Sequence, residues 1–369
     1  MDSVAVLILD VLEVLKNLPR TQKTAFVGLD GYIDKIQHPV QYQKEDGNVY
    51  FSTLSDFGQK ISAASRQSAQ VELFTQETKL GGNAPIMANA LAQLGIANTC
   101  MGTLGYPDIH PIFQDIDNSC ELVSVGEAAQ TNALEFNDGK LILSELSTFN
   151  MLDWESVKKK INLEHIRKKT RDATLFALVD WSNLPFATSI WQGILDDIVR
   201  YQDLTERNFL FDLTDPSKKG RDEIHAVLDL MKQYKDHGQV TMGLNENEAH
   251  KLYTLLKGNG MENDLYAKGQ YIFDMIKIDR LVIHPIDCCL VFETGKTSSI
   301  QGRLIKHPRV TTGGGDNFNA GFAFGMLNAF STQHCMILAM ATSGSYVEFG
   351  QSPKINDLID FLSIWLQEV

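Results

Sequence analysis

With 369 residues, 44% of them apolar, the chain is long enough to bury a large core, and its charge balance leaves it at −13. So acidic a surface argues against a nucleic-acid or anionic-membrane binder, since phosphate surfaces repel it. Five cysteines without a Cys-x-x-Cys spacing argue against a disulfide framework or a zinc site, and they fit a reducing cytoplasm.

In chain order, Val4–Leu15 is apolar but interrupted by Asp10 and Glu13, with no basic segment before it. It reads as an amphipathic helix packed on the protein, not as a targeting signal, and it is too short to span a bilayer. Thr24–Gly28 reads as a buried strand. Residues 36–80 break the pattern: polar and irregular around Tyr42–Asp46, then a helix near Phe57–Ser68 and a strand near Val71–Lys79. Helix Pro85–Leu94 and strand Asn98–Gly102 follow. Residues 119–149 alternate like hairpin strands, with Asn137-Asp138-Gly139 as the turn between Asn132–Phe136 and Leu141–Leu146. The strands Thr174–Asp180, Asn208–Asp212, Val240–Leu244, Leu281–His284 and Cys289–Glu293 then take turns with helices Ser189–Tyr201, Gly220–Lys235, Glu246–Leu256 and Tyr266–Ile276. Asn317–Phe330 is a further helix.

Strands alternating with helices predict an α/β fold: a doubly wound, mainly parallel sheet with helices on both faces. Residues 36–80 and 119–149 are expected to form a small β-rich lid over it. No repeat or low-complexity linker divides the chain, so 1–369 reads as a single domain. Ligands of such sheets gather beyond the C-terminal strand ends, where Asp180, Asp212 and Asn245 fall.

Four places carry chemistry. Thr311-Thr312-Gly313-Gly314-Gly315-Asp316 opens a helix. A glycine run at a helix N-terminus presents backbone N–H groups to an anion, with the helix dipole in support. A carboxylate in the same turn repels a phosphate, so Asp316 suits either proton abstraction from a hydroxyl or, after a plain glycine loop, the role of helix cap and dipole partner. The Gly-x-x-x-x-Gly-Lys-Ser/Thr spacing is absent, and position 318 is Phe where a dinucleotide fingerprint needs Gly. Gly28-Leu29-Asp30-Gly31-Tyr32-Ile33-Asp34 places two carboxylates at a strand end, fit either for a polyol or for a plain Asx/Gly turn. Gly81-Gly82-Asn83 precedes a helix, either for close ligand approach or as an N-capped entry. Asn245-Glu246-Asn247-Glu248 offers oxygen ligands to Mg²⁺ or a capping box, and the two are compatible. His38, His110, His225, His284 and His307 show no metal spacing and read as surface or satisfied core residues.

Taken in order, these segments resemble the phosphofructokinase B (PfkB), or ribokinase-like, family of carbohydrate kinases. The family's C-terminal signature, Asp-Thr-Thr-Gly-Ala-Gly-Asp-x-Phe-x-Ala-Gly, matches Thr311 through Gly321; its N-terminal signature resembles Gly81 through Gly95. Its Asn-x-x-Glu motif falls on Asn245 and Glu248, and Thr131-Asn132-Ala133 resembles its lid strand. The resemblance implies a ribokinase-like catalytic domain that uses ATP and Mg²⁺, with a monovalent cation as a further candidate. It implies Asp316 as general base and Gly313, Gly314 and Gly315 as the anion hole. Asp30, Gly31, Asp34, Gly81, Gly82 and Asn83 would face the sugar or polyol. Asn245, Thr312, Gly313, Gly315 and Asn319 would face the nucleotide, with Asn245 and Glu248 holding Mg²⁺ through water. Lids of this family pair between subunits, so a homodimer through the lid is a further expectation.

Four departures stand out. Val310 replaces the family's Asp or Asn, and Ile86 replaces a sugar-contacting Asn. Asp34 lies six residues after Gly28 where five is commoner, and His284-Pro285 replaces the Thr or Lys that ends its strand. The expected activity is ATP-dependent phosphoryl transfer to a sugar hydroxyl. The alternatives are a nucleoside kinase and a catalytically silent sugar or nucleotide sensor on the same fold.

Overall fold

The computed structural model describes residues 4–19, 21–202, 207–257 and 264–369. Its strands are β1 (Thr24–Leu29), β2 (Tyr32–Lys44), β3 (Gly47–Tyr50), β4 (Leu73–Gly81), β5 (Ala97–Gly102), β6 (Cys120–Ser124), β7 (Ala129–Phe136), β8 (Gly139–Glu145), β9 (Ala173–Leu178), β10 (Asn208–Asp212), β11 (Gln239–Asn245), β12 (Arg280–His284), β13 (Cys288–Glu293) and β14 (Lys296–Gln301). Its α-helices are α1 (Val4–Asn17), α2 (Leu54–Ala63), α3 (Asn83–Gln93), α4 (Trp154–Lys160), α5 (Leu163–Lys169), α6 (Ala187–Asp197), α7 (Arg221–Tyr234), α8 (Glu246–Lys257), α9 (Leu265–Ile276), α10 (Gly314–Leu327), α11 (Thr332–Phe349) and α12 (Ile355–Glu368).

Nine strands form the large sheet in the order β14-β13-β12-β11-β10-β9-β1-β5-β6. From β12 to β6 every neighbouring pair is parallel; β13 and β14 add an antiparallel edge. The central strands are continuous apolar runs because both faces are covered: all six residues of β9 are buried, as are Phe209, Leu210 and Phe211 of β10. One face carries α1, α3, α10, α11 and α12, and the other α4 to α9, each side with its own apolar core. Helix α7 shows how local pattern produces this layering. Ile224, Val227, Leu228 and Met231 recur at i, i+3, i+4 and i+7 and are its buried stripe.

The lid is a second sheet built on β2. One edge of β2 takes β4 over Tyr32–Pro39, and the other takes β7 over Tyr32–Gln37 and then β3 from Val40. Strand β8 closes the far side of β7. Phe51, Phe57 and Leu134 give it a small core of its own, with α2 as cover.

Three expectations need correction. Residues 41–46 are not irregular: β2 runs on to Lys44 and turns directly into β3. Their polarity reflects full exposure at the tip of the lid. The lid also begins at Tyr32 rather than residue 36, and β6 does not belong to it. Strand β6 is the parallel edge of the large sheet beside β5, and an edge strand buried on one side alternates much as a hairpin strand does. Strand β14 and helices α4, α5, α11 and α12 lie outside the predicted set. Helix α11 is apolar around most of its circumference because it packs on α1, α10 and α12 as well as on the sheet, so no single stripe marks it.

Candidate active site

The chain runs from β1 to β5 and β6 on one side and from β9 through β12 on the other, so strand order reverses at β1 and β9. A crevice opens beyond the C-terminal ends of strands at such a point. Asp30 follows β1, Asp180 follows β9, Asp212 ends β10, Asn245 ends β11 and His284 ends β12. The first turn of α10 brings Asp316 against this row: its nearest carboxylates include Asp212, Asp30, Asp180 and Glu248.

The start of α10 is fixed from three sides. Gly313 caps it at φ 94°, and a Cβ there would come within 2.7 Å of the Tyr346 hydroxyl. That hydroxyl donates to the Thr312 carbonyl at 3.0 Å, and the Asn317 side-chain amide donates to the Gly313 carbonyl at 2.9 Å. The first intrahelical bond runs from the Asn317 N–H to the Gly313 carbonyl. The amides of Gly315 and Asp316 precede it without a helical partner, which is the arrangement that receives an anion. Asp316 itself is buried. Burial first, and then the charges of Asp212, Asp30, Asp180 and Glu248, hold its carboxyl well above the usual range. Desolvation and like charge both favour proton uptake, as a base requires.

The two carboxylates of the first motif separate in role. Asp34 lies in the lid root, accepts a hydrogen bond from the Thr131 hydroxyl of β7, and is raised by burial against the lowering pull of Lys79 and Lys140. Gly81 makes room for it, since a Cβ there would fall 2.3 Å from its carboxylate. Asp30 is fully buried and accepts the N–H groups of Asn83 at 2.6 Å and Ala84 at 2.8 Å. It is the N-cap of α3 contributed from another strand, and its oxygens are already taken. Gly82, at φ 101°, would place a Cβ 2.7 Å from Asp30; Gly31 would place one 2.3 Å from the Thr103 carbonyl. Asp30 and Gly31, both buried, therefore shape the pocket rather than face a ligand, whereas Gly82 stays partly exposed. Asn83 keeps a half-buried side chain at the mouth of α3.

At the junction of β11 and α8, the Asn245 N–H donates to Glu248 at 2.8 Å and the Glu248 N–H to the side-chain amide oxygen of Asn245 at 2.9 Å, a reciprocal capping box. Burial and the neighbouring Asp212 charge push Glu248 up to about 8. Asn319 differs from expectation: it is buried one turn into α10, and its amide donates to Asp212 at 2.8 Å. It positions a carboxylate and does not line the cavity. Thr312 does reach the surface of the loop, where its hydroxyl accepts from Lys140 at 3.1 Å. A cavity of about 520 Å³ lies beside these residues, walled by Asn245, His284, Phe318, Thr311, Gly314 and Gly315. His284 stacks on Phe318 at 4.4 Å, and burial lowers it to about 4, so it is a neutral wall of this cavity rather than a remote core residue. Ile86 lines a second cavity of about 870 Å³ with Lys79, Asn89 and Tyr346.

The sequence reading missed Lys140 and the buried pair Tyr32–Asp180. The Tyr32 hydroxyl donates to Asp180 at 2.7 Å, and burial holds that carboxyl at about 7. Both are non-local contacts, and the strand-end position of Asp180 was their only trace. Among the described residues no group of three His, Cys, Asp or Glu side chains is spaced to hold a metal ion on protein ligands alone.

Fold and site together define a carbohydrate kinase of the ribokinase type. Solved structures agree on the fold: a probable sugar kinase from Rhizobium etli superposes with a TM-score of 0.65 at 16% identity, covering 93% of this chain and 98% of its own. Ribokinase from Arabidopsis thaliana, solved with ribose and ATP, gives 0.60 at 16% identity over 92% and 98%. A curated ketohexokinase from Haloferax volcanii is 26% identical over 343 residues, 92% of this chain and 90% of its own length. The profile of the prokaryotic ketohexokinase family matches residues 9–365, and the chain belongs to that family. It is a phosphotransferase that uses ATP to phosphorylate a sugar.

Proposed function

We propose that the acceptor is a hydroxyl of a ketohexose and that Asp316 is its general base. The observation that supports the reading most is the buried Asp316 carboxylate in the same turn as the two unpartnered amides, a combination suited to a proton acceptor next to a bound anion. Asp34, held by Thr131, orients the sugar; Asp316 takes the proton of the attacking hydroxyl; the amides of Gly315 and Asp316 receive negative charge on the transferring phosphoryl group. The ketohexose rests on the name of the family and of the Haloferax volcanii relative.

Mg²⁺ fits the donor set. Glu248 keeps one oxygen beyond its bond to the Asn245 amide and sits in the field of Asp212, a repulsion that a divalent cation relieves. Asn245 and Glu248 would hold it through water, and when bound it supplies neutralising charge at the β- and γ-phosphate oxygens. Residues 1–369 act as one catalytic domain. The cytoplasm is the expected location, consistent with ATP use and with five free cysteines. Exposed Tyr42, Leu73, Phe74, Ile142 and Leu143 on the lid support pairing of two lids in a homodimer.

The test is ADP release with Mg·ATP across ketohexoses, aldoses and nucleosides. Fructose or another ketohexose should give the highest kcat/KM, and Asp316→Asn should lower kcat by about a thousandfold. Preference for a nucleoside would remove the substrate assignment; near-normal turnover in Asp316→Asn would remove the base.

A further inference from the structure

Lys79 lies directly opposite Asp34 in the pairing of β4 with β2, so both side chains leave the lid on one face. Burial, and then the charges of Asp316, Asp34 and Glu77, push the Tyr346 phenol up, so that ring is within reach of both the base and the sugar-side carboxylate proposed above. Lys79, Tyr346 and Ile86, which is one turn into α3 from Asn83, wall the inner end of the cavity of about 870 Å³. The cavity therefore begins where the sugar side of the site ends. It is much larger than one hexose ring fills, and volumes of about 300–1,000 Å³ suit ligands of drug size.

Outward from Ile86 the cavity is a groove between two helices. Asn89 and Gln93 follow Ile86 at i+3 and i+7 on α3, and Asp357, Asp360 and Ile364 recur at the same spacing on α12. Phe349, the last residue of α11, adds a ring that is 51% exposed. The Asn89 side-chain oxygen accepts the Asp117 N–H, which leaves its amide hydrogens for a ligand. Gln93 and Asp360 have no hydrogen-bond or ion-pair partner among the described residues. Amides and carboxylates beside an aromatic face are what a polyhydroxylated ring needs, hydroxyls meeting the polar groups and the C–H face meeting the ring. The lining carboxylates Glu77, Asp115, Asp357 and Asp360 outnumber the ammonium groups Lys79 and Lys354, so a neutral ligand is favoured over a nucleotide or a sugar phosphate. At the junction Ile86 offers no hydrogen bond. A free hydroxyl would lose its water there without a partner, whereas the C–H groups around a glycosidic link lose nothing.

We propose that this groove is a second carbohydrate subsite, and that the chain accepts a ketose carrying a further glycosyl unit. The ketose ring lies at Asp34 and Asp316, and the added unit lies between α3 and α12. The proposal deepens the ketohexose reading above and rests on it. The added unit leaves the transfer itself unchanged: the bond from the γ-phosphorus to the bridging oxygen of ADP breaks, a bond to the ketose oxygen forms, and the hydroxyl proton goes to Asp316.

The test is ADP release from Mg·ATP with fructose and with turanose, maltulose and isomaltulose, which add glucose at O-3, O-4 and O-6 of fructose; glucose and maltose run beside them. At least one ketose disaccharide should show a KM about tenfold below that of fructose, as a pair of net hydrogen bonds supplies. Gln93→Ala and Asp360→Ala should each raise that KM about fivefold with kcat unchanged, and leave fructose within about twofold. Asp360 is exposed, so its variant keeps the fold and decides the matter alone should Gln93→Ala not fold. No ketose disaccharide with a KM below that of fructose, or variants that shift fructose and disaccharide alike, overturns the subsite. If glucose and maltose are turned over in place of the ketoses, the ketohexose reading fails. A KM for maltose below that for glucose, abolished by the two variants, still supports the subsite in that case, and equal values overturn it.

Discussion

Asp30 and Asp34 are four residues apart and have different jobs, which substitution should separate. Asp30→Asn keeps the shape but turns an N–H₂ toward the Asn83 or Ala84 amide, leaving a buried donor unmatched. That should cost about 1–3 kcal/mol of stability and appear as a lower Tm. Asp34→Asn should leave Tm nearly unchanged and raise the sugar KM, because the Thr131 hydroxyl can still donate to an amide oxygen. If Asp30→Asn melts like wild type, its capping role is wrong. Glu248 gives a pH test. Its folded-state carboxyl titrates at about 8 against 4.5 for the ordinary group, so the folded protein binds the extra proton. The stability this contributes is complete below about pH 4.5 and is lost as pH rises toward 8. Glu248→Gln remains uncharged throughout, so its Tm should gain on wild type steadily between pH 5 and 8; a constant difference would contradict the burial of that charge.

At the scale of elements, the close crossing of α10 and α11 sets the site. A Cβ on Gly321 would come within 2.7 Å of the Leu338 carbonyl and 2.5 Å of the Thr342 hydroxyl oxygen. Gly321→Ala must push α11 outward, and α11 carries Tyr346, which holds the Thr312 carbonyl. The variant should lose kcat about tenfold or more with modest loss of Tm, since misplacing reacting groups by a fraction of an ångström is costly. Unchanged kcat would mean that α11 does not position the cradle. This coupling was invisible in the sequence. The Thr311–Asp316 run was legible because glycine, carboxylate and helix start are adjacent in the chain. The parallel strands were legible because burial on both faces makes continuous apolar runs. Helix α11 was not, since a helix surrounded by protein has no polar face to mark its period. Asn319 was misread because its distance from Asp316 along the helix says nothing of which way it turns. Lys140 was missed because its partner is far away in the chain, on the cradle loop.

At the scale of the molecule, a net charge of −13 meets a nucleotide that is itself an anion. Raising ionic strength from about 10 to 150 mM shortens the Debye length from about 30 to about 8 Å. If the overall field dominates approach, kcat/KM for Mg·ATP should rise with salt; a fall would show that local cations such as Lys140 outweigh it.

The lid joins the large sheet over very short spans: Asp30 and Gly31 between β1 and β2, and Gly82 between β4 and α3. Tyr32 and Ala129, the first residues of β2 and β7, lie side by side with Gly81, the last of β4, and the Ala129 N–H donates to the Gly31 carbonyl at 2.9 Å. One residue inserted at this root would turn Asp34 to the other face of the lid. The same insertion at 45–46 or 137–138, at the outer turns, would leave every site residue where it is. Length differences among relatives should therefore collect at those outer turns, with the root fixed to the residue, so that the lid's size can drift in evolution while its hinge keeps count.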